Sequence, residues 1–231
     1  MIQDLLNSPV FGILLSIICF EIGLYIYRKT KIALFNPLLI CITLIVFILI
    51  FFNIKLDNFN KGGNFISFFL GPATVVLAVP LYKKINVIKK YAIPILLGVT
   101  VGSITAMISI FYISREFGLT SKMSYSLMPK SITTPIGIEV SKVLGGIPSI
   151  TVSAIIITGI MGAVISPIVC KIFKIKNNIA IGISIGTSSH AIGTTKAIEI
   201  GETEGAMSSL AIGIAGLVTS FLAPIIVKFL H

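Results

Sequence analysis

The stretch GTSSHAIGTTKAIEIGETEGAMSS, residues 186–209, decides how the rest of this chain must fold. It contains the internal histidine, a run of small hydroxyl side chains and three glutamates. The apolar runs Ile147–Cys170 and Gly205–Val227, on its two sides, are each long enough to cross a bilayer. Polar groups at membrane depth usually face the protein interior or a water-filled cavity. This stretch therefore predicts an interrupted helix that lines such a cavity.

The composition is that of an integral membrane protein. Of the 231 residues, 55% are hydrophobic and 11% are charged, and the mean hydropathy is +1.06. In soluble domains roughly 25% of residues are charged. Uncharged apolar runs recur along the chain, and they are continuous rather than alternating, which excludes a transmembrane β-barrel. We therefore predict an all-α polytopic membrane protein.

Eight hydrophobic segments joined by short connections predict one integral membrane domain, residues 1–231. Asp4 stands where a secretory signal peptide is basic, so the first segment is expected to remain as a span. The segments are Pro9–Tyr27, Ile32–Ile54, Phe65–Tyr82, Tyr91–Ser114, Met123–Ser141, Ile147–Cys170, Ile179–Thr195 and Gly205–Val227.

Glycine and proline interrupt three of these segments, Phe65–Tyr82, Met123–Ser141 and Ile179–Thr195. Backbone groups freed by an interruption must find partners in protein or in water, because the hydrocarbon offers none. Interrupted segments in corresponding places of two halves are typical of transporter binding sites. These segments are therefore expected to line a cavity near the bilayer midplane.

The lysines are distributed in a way that eight simple spans do not explain. With the N-terminus outside, such spans put Lys89 and Lys90 inside but Lys174 outside, against the positive-inside rule. One explanation is a pair of inverted repeats, residues 1–115 and 116–231, in which one interrupted segment re-enters instead of crossing. The alternative is an uninverted eight-span bundle with an imperfect charge bias. The net charge of +10 comes from lysines that cap apolar spans, and no nucleic-acid partner is expected.

The stretch PKSITTPIGIEVSKVLGG, residues 129–146, has the composition of an anion site. Pro135 favours a helix that starts near Thr134, with the proline at its first position. The free N–H groups of such a start, together with the hydroxyls of Ser131, Thr133 and Thr134, suit an anion. Lys130 would add a full charge. The alternative is a kinked helix whose Lys130 reaches the membrane interface.

His190 is the second candidate for chemistry. Imidazole titrates near neutrality, so His190 could bind a carboxylate or relay a proton. Glu139 is the other proton-coupling candidate, and in the interior it would need a partner such as Lys130. The alternative is a neutral histidine that bonds a neighbouring helix. No second His or Cys stands nearby, so neither a metal nor a cofactor is expected. The predicted substrate-binding residues are completed by Ser188, Ser189 and Thr194.

Three stretches resemble signature blocks of the LrgB/CidB membrane proteins: GPATVVLAVPLYKK, PKSITTPIGIEVSKVLGG and SSHAIGTTKAIEIGETEGAMSSLAIGIAGLVTS. The resemblance covers essentially the whole chain, with one mild departure, Ala191 after His190, where the family often has glycine. It implies a multi-pass protein of the bacterial inner or cytoplasmic membrane, related to the plastid glycolate/glycerate translocator. It also implies a small membrane partner of the LrgA/CidA type.

Two functions from different classes follow. The leading hypothesis is a transporter or facilitator of small monocarboxylates such as pyruvate or glycolate, which the resemblance implies and the broken helices favour. The alternative is an antiholin-like regulator of murein hydrolase export and cell lysis. An intramembrane hydrolase built on His190 with Ser188 or Ser189 is a distant third, so no enzyme is expected. The expected partners are a small organic anion, membrane lipids and the LrgA/CidA-type protein, and a homo-oligomer is left open.

Overall fold

The computed structural model describes residues 6–30, 35, 37–69, 72, 82–83 and 85–230. The chain forms two compact units, Met1–Val76 and Leu77–His231. In chain order the helices are α1 Pro9–Thr30, α2 Pro37–Phe51, α3 Leu56–Phe68, α4 Ile85–Lys90, α5 Ala92–Glu116, α6 Ser121–Leu127, α7 Thr134–Leu144, α8 Pro148–Ile172, α9 Asn178–Ile200 and α10 Glu202–Leu230.

Four of these helices, α1, α5, α8 and α10, are long and apolar enough to cross a membrane, and α2 is a shorter apolar helix. Helices α1, α5, α8 and α10 have 22, 25, 25 and 29 residues, respectively, whereas roughly 20 residues are enough to span the hydrocarbon. The prediction of an all-α polytopic membrane protein is confirmed. The interrupted segments Met123–Ser141 and Ile179–Thr195, by contrast, do not form single long spans, and they shape the second unit.

In the first unit, α1 packs against both α2 and α3. A Cβ placed on Gly12 would lie 3.0 Å from the Cα of Gly62 and would overlap the carbonyl of Phe59. Glycine at both positions therefore lets the backbones of α1 and α3 touch, as small residues do in membrane helix pairs. The segment that forms α3 was missed by the sequence analysis because its asparagines and Lys61 interrupt the apolar pattern.

The three long helices of the second unit define its two ends. Tyr91 before α5 lines one cavity with Ile175 and Asn177 between α8 and α9, so these points share an end, here called the lysine end. Arg115 at the end of α5 lines another cavity with Leu230 at the end of α10, here called the C-terminal end. Helices α5 and α10 therefore both run towards the C-terminal end, and α8 runs back to the lysine end.

Helices α6 and α7 enter and leave from the C-terminal end. The amide of Ile147 donates to Ser126 Oγ at 2.7 Å, which ties the exit of α7 to α6. Thr151 Oγ1 donates to Ser141 Oγ at 2.7 Å, so the end of α7 lies beside the start of α8. The segment predicted as Met123–Ser141 is thus a re-entrant pair of short helices, and its break at residues 128–133 is its deepest point.

Helix α9 also folds back on itself. His190 has φ 43° and ψ −142°, which is not helical. Gly186 and Thr194 both contact Ser208, although eight residues of continuous helix would separate them by about 12 Å. A Cβ on Gly193 would lie 3.2 Å from Cγ2 of Ile185, again across the reversal. Both arms of α9 therefore start and end at the lysine end, and their tip is His190.

These two re-entrant elements resolve the charge distribution of the second half. Because neither crosses the membrane, Lys174 and Lys176 lie at the same end of the unit as Lys89 and Lys90. Eight simple spans therefore do not describe this unit, and two interrupted segments re-enter, from opposite ends, where the sequence analysis offered one. The proposed repeats 1–115 and 116–231 stay a prediction. The break in the third segment, residues 70–81 apart from Pro72, lies outside the described residues.

The close packing of α9 on α10 depends on glycine at position 186. A Cβ there would overlap the carbonyl of Ser208 and lie 2.9 Å from the Cβ of Ala211, whereas a Cβ on Gly213 would meet nothing within 4 Å. We expect Gly186→Ala to lower the free energy of unfolding by about 1–3 kcal/mol, as overpacking does. Gly213→Ala is the matched control, and it should leave stability unchanged or raise it. Thermal unfolding in detergent measures both, and equal midpoints for the two variants would contradict this packing.

Candidate functional site

The tip of α9 is held against the middle of α8. His190 is 3% exposed, and its Nε2 lies 2.8 Å from the carbonyl oxygen of Ile155. A carbonyl oxygen only accepts, so Nε2 carries the hydrogen in this contact. A Cβ on Gly159 would lie 2.6 Å from Cε1 of the ring, so glycine leaves the space that the imidazole fills. His190 therefore bonds a neighbouring helix, as the alternative interpretation of this residue had it.

The backbone of His190 is also fixed from the other side. Its carbonyl oxygen accepts from Thr194 Oγ1 at 2.9 Å, and Thr194 Oγ1 lies 2.7 Å from Ser208 Oγ on α10. A non-glycine residue at positive φ costs about 1–3 kcal/mol and persists where its surroundings determine it. The side chain, the carbonyl and the neighbouring hydroxyls together hold this reversal in place.

Ser188 and Ser189 precede the reversal and present hydroxyls beside α8. Their Oγ atoms lie 2.9 Å apart, and Ser188 Oγ also donates to the carbonyl of Ser184 at 2.8 Å. Ser189 is fully buried, and a Cβ on Gly162 would overlap its side chain. Two glycines one helical turn apart on α8, Gly159 and Gly162, therefore receive the two residues at the tip of α9.

The re-entrant pair α6 and α7 brings Lys130 to the same level of α8. Gly137 packs on Ile155, with α7 antiparallel to α8, so the break before α7 lies beside the middle of α8. Lys130 Nζ lies 3.4 Å from Oγ of Ser131, which is 8% exposed. The two breaks, which come from opposite ends of the unit, thus approach each other beside residues 155–162.

Between the two breaks lies a cavity of about 510 Å³, here called the tip cavity. One charged residue lines it, Lys130, and the hydroxyls come from Ser184, Ser188, Ser189, Ser166 and Thr158. The remaining lining is Ile157, Met161, Gly162, Ile165, Val169, Cys170 and Ile175. A single cation together with several hydroxyl groups and an apolar remainder suits one anionic group attached to a short apolar body.

The structure brings together three of the predicted site residues, Lys130, Ser188 and Ser189, in this lining. Ser131 joins them through its contact with Lys130 Nζ. Thr133 and Thr134 are half-buried at the start of α7. The helix start predicted there is confirmed to within one residue, with Thr134 first and Pro135 second. Neither threonine is among the residues that line the tip cavity.

Three other predicted residues lie elsewhere. Glu139 is 70% exposed and forms an ion pair with Lys142 at 2.7 Å, so the structure does not join it to Lys130. Thr194 is buried between α9 and α10. His190 packs against the backbone of Ile155 rather than into the tip cavity. Their positions follow from the reversal of α9 and from the face of α7 that meets α8.

The sequence analysis missed the contribution of α8. Thr158 and Ser166 line the tip cavity from a segment that was interpreted as a plain span. A usable signal was present, because Gly159 and Gly162 lie close in sequence to these two hydroxyl residues. Small residues at helical spacing mark a face where another backbone approaches, but they do not say which element does so.

Comparison with known proteins places this chain in a family. The model of the LrgB-like family matches residues 16–229. The chain is 38% identical over 224 residues to an antiholin-like protein LrgB of Bacillus cereus (strain B4264), covering 96% of this chain and 97% of that protein. The same values hold for an antiholin-like protein LrgB of Bacillus anthracis (strain CDC 684 / NRRL 3495). No solved structure matches. With nearly the whole length matched by both comparisons, the chain belongs to the LrgB-like family.

Proposed function

We propose that the second unit binds a small monocarboxylate, of the size of pyruvate or glycolate, in the tip cavity and moves it across the membrane. The observation that carries the proposal is that two broken helices entering from opposite ends bring Lys130 and the hydroxyls of Ser188 and Ser189 to one cavity. Ion and substrate sites in secondary transporters are built from discontinuous helices in this way. The chain then acts on its solute without covalent chemistry and is not an enzyme.

The tip cavity gives the proposed route its direction. Its lining runs from Lys130 at the break to Cys170 and Ile175 near the lysine end. A solute would therefore enter this conformation from the lysine end. Release at the other end would need the break before α7 to open, and that element is attached to the C-terminal end through Ser126 and Ser141.

A second candidate is antiholin-like regulation of murein hydrolase export and cell lysis, without movement of a specific solute. The observation that favours it is the name carried by the relatives from Bacillus cereus and Bacillus anthracis. Such a regulator would act through a small membrane partner of the LrgA/CidA type in the cell membrane. Uptake of labelled pyruvate into proteoliposomes distinguishes the two. Saturable uptake that unlabelled acid competes with supports transport, and unsaturable leakage of a dye supports a pore.

Lys130→Gln is expected to raise the half-saturation concentration for labelled pyruvate by roughly tenfold to a hundredfold, since a hydrogen bond to a charged group contributes about 1.5–3 kcal/mol. Lys142→Gln is the matched control, because Lys142 lies on the same re-entrant element, exposed and paired with Glu139. Concentration dependence of uptake into proteoliposomes measures both. An equal effect of the two changes would contradict a role for Lys130 in the tip cavity.

The role of the helix start is tested separately by Thr134→Ala. If the free N–H groups and hydroxyls at the start of α7 bind the carboxylate, this variant should lose uptake while its expression stays unchanged. If binding resides in the lining of the tip cavity, the half-saturation concentration should stay within about twofold of the unchanged protein, because Thr134 is not among the residues of that lining. The same uptake assay decides between the two positions.

The tip cavity is also expected to be hydrated. In a background with alanine at Cys19, Cys41 and Cys170, a cysteine replacing Ser166 should react with a water-soluble thiosulfonate reagent, because this position lines the tip cavity. A cysteine replacing Ile168 is the control, because Ile168 is 54% exposed on the same helix but outside that lining, where acyl chains would surround it. Pyruvate should slow the reaction at position 166 alone. Equal rates of reaction with the reagent at both positions would contradict a hydrated tip cavity.

A further inference from the structure

A second and larger cavity, of about 650 Å³, lies between α5 and the first arm of α9 and is here called the lysine-end cavity. Its walls are mostly apolar, and Ser184, Thr187 and Ser188 line it towards the tip of α9. The apolar part of the walls includes Pro94, Ile95, Gly98, Ile179, Ala180 and Ile183. Gly98 faces α9 with room for a side chain, since a Cβ there would lie 3.9 Å from Cγ2 of Ile183, whereas at Gly102 the two helices approach closely, with Cγ2 of Thr187 at 2.9 Å from such a Cβ. An apolar space of this kind between membrane helices suits a hydrocarbon chain and not a small hydrated ion.

The mouth of the lysine-end cavity has a different character. Tyr91 and Asn177 line it at the end where α5 and α9 begin. Lys90 Nζ lies 5.5 Å from the centroid of the Tyr91 ring, so its charge is held at this mouth. Lys174 and Lys176 flank Ile175, which lines the same cavity, and both are exposed. Lys89, also exposed, precedes Lys90 at the end of α4, so four lysines, from α4 and from the connection between α8 and α9, lie at the lysine end of the unit.

We propose that the lysine-end cavity is a binding site for an anionic phospholipid, with one acyl chain between α5 and α9 and the phosphate among the lysines. Basic pockets between membrane helices bind anionic lipid headgroups, and tyrosine and lysine are the residues that anchor at that depth. An apolar body and an anionic head at one end match the two parts of the cavity. A neutral lipid would account for the apolar walls but would bring no net negative charge to these lysines.

The site is distinct from the tip cavity, although one wall is common. Ser184, Ser188 and Ile175 line both cavities, so the first arm of α9 stands between them. A lipid chain in the lysine-end cavity would therefore support the arm that carries the tip hydroxyls. The lipid site nevertheless stands whether or not the tip cavity carries an anion, because Tyr91 and the residues of α5 that would contact the lipid do not line the tip cavity.

The full-length protein is purified in detergent that contains dioleoylphosphatidylglycerol or dioleoylphosphatidylcholine. Native mass spectrometry then releases it from the detergent and counts the lipid molecules that stay bound. The unchanged protein should retain phosphatidylglycerol in preference. In the double variant Lys90→Gln, Lys176→Gln the affinity for phosphatidylglycerol should fall by roughly twentyfold, since each lysine near an anionic headgroup contributes a factor of about five. The charge-matched control Lys122→Gln, Lys228→Gln, with both changes near the C-terminal end, should bind as the unchanged protein does.

A second variant tests the apolar part. A Cβ on Gly98 would meet only Cγ2 of Ile183, at 3.9 Å, so Gly98→Leu is expected to fold and to fill the lysine-end cavity. It should lose retention of phosphatidylglycerol while its unfolding temperature in lipid-free detergent is kept. Should this variant fail to fold, the lysine variants carry the test. Three outcomes would each overturn the proposal. The unchanged protein could retain the two lipids equally, or the two lysine double variants could bind phosphatidylglycerol with equal affinity. A dimer mass without lipid would assign the cavity to a second copy of the chain.

Discussion

The fold depends on one constraint, that backbone reversed inside a membrane has no water to satisfy it. Helix α9 reverses at His190, where Nε2 bonds the carbonyl of Ile155 and the backbone carbonyl accepts from Thr194 Oγ1. The reversal is feasible because α8 offers glycine where the imidazole and Ser189 must enter. Helix α8 is therefore the scaffold of the second unit, since the breaks of both re-entrant elements lie beside its middle.

The same constraint explains why polar chemistry gathers where it does. A break in a helix exposes groups that must face protein or water, and two breaks from opposite ends can share a single space. Lys130 and the tip serines therefore meet in one cavity, although 58 residues separate Lys130 from Ser188 in the chain. The spans around them supply apolar walls, and one charge, several hydroxyls and apolar surface together suit the small organic anion that we propose as the solute.

Family membership and geometry describe function at two levels, the effect on the cell and the action of a single molecule. The relatives are named for an antiholin-like role, which describes an effect on the cell. The two opposed breaks and the cavity between them describe what a single molecule can do with a solute. Movement of a small carboxylate and an influence on lysis are compatible, because a change in metabolite flux across the membrane can be the physical event to which a regulatory pathway responds. The lysine-end cavity adds the surrounding lipid as a third participant, through the first arm of α9.

The sequence by itself determined the class of protein, the interrupted segments and the start of α7, because apolar length, glycine and proline act locally on the backbone. It also indicated that eight simple spans explain the lysine distribution poorly. Only the tertiary structure decided that two segments re-enter, since a break at His190 is equally compatible with a kink and with a reversal. For the same reason it decided which polar residues share a space: Lys130, Ser188 and Ser189 line the tip cavity, while Glu139 pairs with Lys142 and Thr194 packs on Ser208. Which side chains of a helix reach a given cavity depends on the face that packs against the neighbouring helices, and that face depends on residues far away in the chain.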